Sequence, residues 1–225
     1  MKTPLFTIQG YILTLVEGGA LKDKKVRDKY LRRAAKGVDR IISIVKDLDL
    51  ITQFESGIKT VDKSEFNIYN LIVNVFDLLE FESEKNKISL KLENINNPLI
   101  YVNADQERIL QVLTNLIVNS IKYGSNNGYT EVKVEDYNKE KVIVRVIDNG
   151  EGIEQEHLPR LFERFYRIDK NRSRKKGGSG LGLSIVKHII EAHQEEIFVE
   201  SKIGKGTEFS FTLQKPKTSS TKIEI

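Results

Sequence analysis

Between Asp105 and Tyr123 the chain carries a long stretch whose apolar residues recur at helical spacing. The apolar positions are Ile109, Leu110, Val112, Leu113, Leu116, Ile117 and Ile121. A helix with so broad an apolar face must bury that face in a core. Asn115 and Asn119 are four residues apart and therefore share one side of this helix. Asparagine is a poor helix former and its amide needs partners when it is covered, so the pair indicates either solvent-facing side chains or a polar ligand.

The composition is that of a globular protein. Of the 225 residues, 39% are hydrophobic, which is enough for a core in one large domain or two modest ones. The chain has no cysteine, so disulfides and thiolate metal sites are excluded and a reducing compartment is favoured. No apolar run approaches the roughly 20 residues that span a bilayer, and the N-terminus does not have the pattern of a signal peptide. We therefore expect a fragment that makes no membrane contact.

The charge pattern does not favour a nucleic-acid partner. The 36 basic residues are interspersed with 32 acidic ones, for a net charge of +4, which is typical of a solvated surface. One local basic excess lies between Arg164 and Lys176. It forms a single loop outside any recognised nucleic-acid-binding module, so we predict no nucleic-acid binding.

Two amphipathic helices are predicted at the N-terminus, over residues 5–15 and 23–54, the second with a seven-residue apolar rhythm. Two helices joined by a short loop cannot enclose a core by themselves. We predict that a second copy of the hairpin completes a four-helix bundle across a dimer axis. The alternative is a hairpin that leans on the rest of its own chain.

Glu55-Ser56-Gly57 ends the long helix and marks a domain boundary. The predicted domains are a helical hairpin at 1–58, a second domain at 64–214 and a flexible tail at 215–225. In the second domain, helical patterns at 66–84, 105–123 and 180–193 are interleaved with strand patterns at 88–92, 99–102, 131–137, 141–147, 197–200 and 207–213. The predicted fold class is α+β, an α/β sandwich in which one mixed sheet carries helices on one face.

The hexapeptide DNGEGI, at 148–153, directly follows the apolar strand pattern VIVRVI. Asp148 would hold a carboxylate on rigid structure, and Gly150 and Gly152 would leave the backbone bare for a flat ligand. Such a carboxylate accepts a hydrogen bond from an exocyclic amine. An Asn-Gly turn with a capping aspartate is the alternative interpretation.

Four glycines, at 177, 178, 180 and 182, open the last helical pattern. Glycine costs about 1 kcal/mol relative to alanine within a helix, whereas bare amides at a helix N-terminus bind phosphate. No strand leads directly into these glycines and no G-x-x-x-x-G-K-[ST] sequence is present, so neither a dinucleotide fingerprint nor a P-loop is predicted. The aromatic and basic segment 161–176 before them is either a lid over the site or a solvated loop.

The order of these motifs resembles the ATP-binding domain of sensor histidine kinases, in the GHKL fold shared with type II topoisomerases, Hsp90-type chaperones and MutL. NLIVNSIKYG resembles the N box, DNGEGI the first glycine box, LFERFYR the F box and GSGLGLSIVKHII the second glycine box. The resemblance covers roughly residues 64–213. It implies ATP and Mg²⁺ as ligands of this domain.

The resemblance also implies roles for the matching residues. Asn119 would be the magnesium ligand with Asn115 beside it, Lys122 would meet a phosphate, and Tyr123 the ribose or base. Magnesium suits amide and phosphate oxygens because it keeps several waters and needs few protein ligands. Asp148 would accept from the adenine amine, and Arg167, a candidate catalytic residue, would reach the terminal phosphates. The remaining implied positions are Gly150 and Gly152 at the base, Thr207 near Asp148, and Gly178, Gly180, Leu181 and Gly182 beside the phosphates.

The first domain resembles the dimerisation and phosphotransfer hairpin of the same kinases. Their motif His-Glu-x-x-Thr-Pro-Leu matches this chain only from Thr3, so the phosphoacceptor histidine and its glutamate would fall before residue 1. Thr3 matches the position that serves dephosphorylation of the partner regulator, which makes it a second candidate catalytic residue. We interpret His157, His188 and His193 as structural or surface residues.

The expected function is that of the cytoplasmic core of a homodimeric sensor histidine kinase. The intact protein, membrane-anchored in a bacterium, would autophosphorylate a histidine with Mg-ATP and pass the phosphoryl group to an aspartate of a response regulator receiver domain. This fragment would bind ATP without labelling itself. The alternative is a GHKL-type ATP-binding switch without histidine kinase activity, in which nucleotide closes a dimer.

Overall fold

The computed structural model describes residues 2–18, 21, 23–57, 60–93, 99–168 and 179–217, without the side chains of residues 2–4. The chain divides into two compact units, Met1–Thr52 and Gln53–Ile225. The part of the tail beyond residue 217, predicted to be flexible, lies outside the described residues, as do residues 169–177 and Gly178.

The first unit is a pair of helices, α1 (Lys2–Val16) and α2 (Lys24–Glu55), as the sequence predicts. The rings of Tyr11 and Tyr30 pack with their centroids 5.6 Å apart. Gly37 faces Ile8 so closely that a Cβ at this position would lie 2.5 Å from Ile8 Cγ1. A small residue on α2 therefore permits close contact between the two helices.

Many large apolar side chains of these helices are exposed to solvent. They are Leu5, Phe6, Ile12, Leu13, Val16, Leu31, Val38, Ile42 and Val45. Apolar surface of this extent favours association. The four-helix bundle remains a prediction, and the exposed side chains are those that a second hairpin would cover.

The second unit interleaves strands and helices. In chain order these are β1 (Ser64–Asn67), α3 (Ile68–Asn86), β2 (Ser89–Leu92), β3 (Tyr101–Ala104), α4 (Gln106–Tyr123), β4 (Tyr129–Asp136), β5 (Lys141–Asp148), a 3₁₀ helix (Gln155–Arg160), α5 (Gly182–Ala192), β6 (Ile197–Lys202) and β7 (Gly206–Gln214).

Five strands form one mixed sheet in the order β2-β4-β5-β7-β6. β2 is parallel to β4, and the other neighbours are antiparallel. Side chains alternate along β5, so that Val142, Val144 and Val146 are buried while Arg145 on the opposite face is half-exposed. Helix α4 packs against β4 and β5 and contacts both α3 and α5. The mixed sheet with helices is confirmed.

One boundary prediction is wrong, because Phe66 does not belong to a helix. It lies in β1, which pairs antiparallel with β3 in a separate two-stranded sheet and places Phe66 opposite Val102. The helix begins only at Ile68, because the Asn67 side chain accepts hydrogen bonds from the N–H groups of Tyr69 and Asn70 and so caps it. Strand pairing and a cap thus override the helical spacing.

A buried histidine connects the ends of α4 and α5. His193 Nε2 accepts the N–H of Asp105 at 3.0 Å, and its Nδ1 donates to the Ile189 carbonyl at 2.7 Å. Asp105 in turn caps α4 by accepting the N–H of Arg108 at 3.1 Å. The start of one helix is therefore held against the end of the other.

Candidate functional site

A pocket of about 330 Å³ opens between α4, the end of β5, the segment after the 3₁₀ helix and the start of α5. Its walls include Asn115, Asn119, Lys122, Tyr123, Asp148, Gly152, Arg167, Gly180, Gly182 and Thr207. All of these are positions that the sequence motifs singled out. The fold therefore gathers residues from four separate motifs around one cavity.

The paired asparagines of α4 face this pocket, half-buried, and do not point to open solvent. A Cβ added to Gly182 would lie 3.3 Å from Asn115 Oδ1. The amide-bearing side of α4 thus meets the first residue of α5 directly. The first N–H groups of a helix have no acceptor within it, so the start of α5 can attract an anion. The asparagine side chains and these N–H groups therefore lie on the same wall of the pocket.

Asp148 is buried at the end of β5. Its Oδ1 accepts two main-chain N–H groups, from Gly150 at 2.8 Å and Thr207 at 3.3 Å. Its Oδ2 has no hydrogen-bond partner within the part of the chain that the structure describes. Burial raises the pKa of Asp148, and the two N–H groups partly offset that rise. One oxygen is fixed by the backbone, and the other is available to a ligand.

Glycines allow the main chain to close around this carboxylate. A Cβ at Gly150 would lie 2.5 Å from the Tyr123 carbonyl oxygen, and one at Gly152 would lie 2.2 Å from that of Lys202. Gly206 has φ 113°, and a Cβ there would lie 1.9 Å from the Asp148 carbonyl oxygen. No side chain fits at these three positions without displacing main chain, so glycine is what allows the backbone to approach Asp148 this closely.

Ser201, which the motifs did not indicate, lies behind Thr207 on the neighbouring strand β6. Its Oγ donates to the Gly206 carbonyl at 2.8 Å and accepts the N–H of Ile153 at 2.8 Å. The hydroxyls of Ser201 and Thr207 are hydrogen-bonded at 2.8 Å. The hydrogen bonds of this one serine therefore connect β6, β7 and the loop after β5.

The segment after the 3₁₀ helix supplies the remaining wall, with Tyr166 and Arg167 among its lining residues. The Tyr166 hydroxyl is hydrogen-bonded to His157 Nδ1 at 2.8 Å. Phe165, in the left-handed region at φ 62°, donates its N–H to the Gly180 carbonyl at 2.8 Å. These contacts attach the aromatic segment to the start of α5.

Two described positions among those predicted, Leu181 and Gly150, do not line the pocket, and two others cannot be placed in it or outside it. Leu181 is fully buried and its N–H donates to Ser179 Oγ at 3.3 Å. Gly150 lies behind the wall, against Tyr123. Gly178 lies outside the described residues, and Thr3 belongs to α1, where its side chain is likewise not described.

The residue assignments made from the sequence left out the apolar part of the pocket, which is formed by Val118, Ile153, Ile168 and Phe209 among others. Phe209 could have been found from the alternation along the last strand, which directs it to the same face as Thr207. The ring of Phe209 also packs edge-on against Phe162 at 6.3 Å. These side chains suit the flat faces of an aromatic ligand.

The pocket offers amide oxygens to a metal ion. Within the described residues, the cluster of His, Asp or Glu side chains close enough to share an ion is Glu154, Glu156 and His157, which do not line the pocket. A magnesium ion needs few protein ligands when phosphates and waters supply the rest. Asn119 with Asn115 beside it fits that requirement.

Among the described residues, no helix combines the length and the apolar character that a membrane-spanning segment needs.

Most of the second unit is similar to a known family of ATPases. Residues 104–217 match the family described as histidine kinase-, DNA gyrase B- and HSP90-like ATPases. The chain is 34% identical over 214 residues to the sensor histidine kinase WalK of Bacillus subtilis, which covers 95% of this chain and 34% of that protein. It thus spans about a third of the length of the curated relatives it matches.

Solved structures show the same similarity. The catalytic domain of histidine kinase ThkA is 34% identical, with a TM-score of 0.60, over 68% of this chain and 96% of that one. ThkA in complex with the response regulator TrrA is 29% identical, with a TM-score of 0.74, over 96% of this chain and 58% of that one. The chain therefore belongs to the family of histidine kinase-, DNA gyrase B- and HSP90-like ATPases, and its relatives there are sensor histidine kinases.

Proposed function

We propose that the pocket binds Mg-ATP and that the whole protein is a membrane-anchored sensor histidine kinase of a bacterium. It transfers the γ-phosphoryl group of ATP to a histidine, from which a response regulator aspartate takes it. The relatives named above and the arrangement of the pocket support this function. One observation carries it: Asp148 has one carboxylate oxygen fixed by two backbone N–H groups and the other available to a ligand.

That arrangement suits the exocyclic amine of adenine. Asp148 Oδ2 accepts an N–H from the amine, in a hydrogen bond strengthened by the charge of the carboxylate. Gly152 lets the flat base approach the backbone, while Ile153 and Phe209 give it apolar contacts. The buried end of the pocket is thus the base site.

The phosphates extend toward the start of α5. The bare N–H groups near Gly180 and Gly182 attract negative charge, and Lys122 and Arg167 line the same pocket. Asn119, with Asn115 beside it, would hold the magnesium ion, whose charge would neutralise phosphate oxygens. Phosphoryl transfer depends chiefly on such positioning and charge neutralisation.

The three histidines of this chain are poor acceptors for the phosphoryl group. His193 is buried, with both ring nitrogens hydrogen-bonded. His157 uses Nδ1 to bind Tyr166. His188 lies on α5, with its side chain only 20% exposed. We infer that the 225-residue chain binds ATP and does not phosphorylate itself.

The helical hairpin serves dimerisation in this proposal, and its exposed apolar side chains are the contact surface. A receiver domain is the proposed partner, since the ThkA structure named above is a complex with a response regulator. Thr3 then takes part in removing the phosphoryl group from that regulator.

Calorimetric titration of the 225-residue chain with ATP in the presence of Mg²⁺ tests the proposal. Binding with a dissociation constant below millimolar is expected, with no binding of a triphosphate that lacks a base. Absence of heat with ATP would contradict it. Incubation with γ-labelled ATP should leave the chain unlabelled, and a phosphorylated band would refute the inference about the three histidines.

A further inference from the structure

We propose that Ser201 is a positioning residue for base selection, because it fixes the direction of the Thr207 hydroxyl proton. Ser201 does not line the pocket, whereas Thr207 does. The proposal rests on the proposed function, in which the base lies beside Asp148.

The hydrogen bonds of Ser201 determine where each proton lies. A serine hydroxyl has one hydrogen and two lone pairs. Its hydrogen goes to the Gly206 carbonyl at 2.8 Å, since a carbonyl oxygen can only accept. The Ile153 N–H occupies one lone pair at 2.8 Å. In the remaining bond, with Thr207 at 2.8 Å, Ser201 must therefore accept and Thr207 must donate.

This direction decides what Thr207 offers to a ligand. Its only hydroxyl hydrogen is directed to Ser201, and no other hydrogen bond of Thr207 Oγ1 is found within the described residues. The lone pairs of Oγ1 remain, so toward the base Thr207 is an acceptor and not a donor. The backbone N–H of Thr207 is occupied separately, by Asp148 Oδ1 at 3.3 Å.

Two acceptors then lie side by side. Asp148 and Thr207 are direct cross-strand partners on β5 and β7, and Thr207 is in turn the partner of Ser201 on β6. Asp148 Oδ2 and Thr207 Oγ1 together suit a group with two N–H hydrogens, as on the six-position of adenine. A base with a carbonyl at that position would bring a third acceptor to the same place and be rejected.

ITP is the sharpest probe, because it differs from ATP only at and beside ring position 6. Dissociation constants for both nucleotides with Mg²⁺ are measured on the 225-residue chain and on two matched variants. Ser201→Thr keeps the hydroxyl and should keep the ratio of the two constants. Ser201→Val has the shape of that threonine without the hydroxyl, so the Thr207 proton is released to donate to the ITP carbonyl. The preference for ATP should fall roughly fivefold, the effect of one ordinary hydrogen bond.

Repeating the Ser201→Val measurement in a Thr207→Val variant separates this mechanism from general damage to the pocket. Thr207→Val removes the hydroxyl whose direction is at issue, so adding Ser201→Val to it should leave the ATP/ITP ratio unchanged. A weakened fold would instead reduce binding of both nucleotides alike and leave their ratio the same in either background.

The outcomes are distinct. If the unaltered chain binds neither nucleotide, the proposed function fails. If it prefers ATP and Ser201→Val leaves the ratio unchanged, or changes it equally in the Thr207→Val background, the role of Ser201 is wrong while nucleotide binding stands.

Discussion

At the scale of single residues, the site depends on how the hydrogen-bonding capacity of a few polar atoms is divided. Asp148 Oδ1 accepts two backbone N–H groups, and Oδ2 has no partner among the described residues, so in the proposed site it is available to the base. The Ser201 hydroxyl makes all three of its hydrogen bonds to neighbouring residues, so the effect that we propose for it on a ligand is indirect. A substitution at one of these polar groups can therefore change the stability of the fold and the affinity for a ligand by different amounts.

Asp148→Asn separates these two consequences. Since burial raises the pKa of Asp148, the stability that this group contributes is present below its ordinary value of 3.8 and is lost as the pH rises through the folded-state pKa. Asparagine keeps an oxygen for Gly150 and Thr207 and removes this cost of ionisation. The thermal midpoint of the nucleotide-free chain at pH 7 should therefore not fall.

ATP binding by the same variant should weaken at least tenfold, roughly the effect of losing a hydrogen bond to a charged group, because the asparagine NH₂ would face the adenine amine donor to donor. Calorimetry and thermal unfolding of Asp148→Asn measure the two effects, with the exposed Glu200→Gln as control. Unchanged ATP affinity would remove Asp148 from the base site.

Gly206 and Gly204 form a matched pair for the backbone around Asp148. Both have positive φ, 113° and 75°, but a Cβ at Gly204 meets nothing within 4 Å whereas one at Gly206 would lie 1.9 Å from the Asp148 carbonyl oxygen. Gly204→Ala should cost roughly 1–2 kcal/mol through conformation alone. Gly206→Ala must also move main chain and should cost at least about 3 kcal/mol. Equal losses in denaturant unfolding would show that the close approach is unimportant.

At the scale of elements, the hydrogen bond by which His193 holds the end of α5 against the start of α4 is sensitive to pH. The pKa of His193 is lowered, chiefly by burial and further by Lys63, although the Ile189 carbonyl, Asp105 and Glu195 act in the opposite direction. A protonated Nε2 could no longer accept the Asp105 N–H. The stability from this histidine is thus fully present above its ordinary pKa of 6.5 and is lost as the pH falls toward the folded-state value.

His193→Gln should reduce that dependence, because glutamine does not titrate and its amide oxygen can accept the same N–H. The free energy of unfolding, measured in denaturant between about pH 7 and pH 5, should fall less steeply in the variant. Some slope should remain, since burial also lowers the pKa of His188. His188→Gln measures the contribution of His188 separately. An unaltered slope in His193→Gln would contradict the prediction.

Much of this architecture could be predicted from sequence, and the exceptions have physical causes. The apolar face of α4 is buried as its spacing requires, with Ile109 and Leu116 fully inaccessible. The strand at Phe66 was missed because its partner β3 is distant in sequence and pairing is a tertiary effect. Ser201 was missed because a lone serine in an edge strand has no local signature, and only the fold shows its three partners.

At the scale of the whole molecule, the helical hairpin is expected to determine the oligomeric state. Leu31, Val38 and Val45 follow one another at seven-residue intervals on α2 and are all exposed. Val38→Lys combined with Val45→Lys should convert the proposed dimer to a monomer, because charges would be buried in its interface. Ser43→Lys, at an exposed polar position of the same helix, is the control.

Light scattering on the unaltered chain and these variants measures the mass directly. A monomeric unaltered chain would contradict dimerisation through the hairpin. ATP affinity should be the same in the double variant, since the pocket lining lies entirely within the second unit.

The pairing of β5 with β7 has a consequence for ligand selection. Asp148 faces Thr207 because the two strands are aligned so that Ile147 faces Glu208. If β7 were displaced by one residue so that Glu208 took the place of Thr207, the aspartate would lie opposite a second carboxylate, and the two would repel each other. In the proposed site, discrimination between purines thus depends on strand alignment, and only a correctly assembled sheet could provide it.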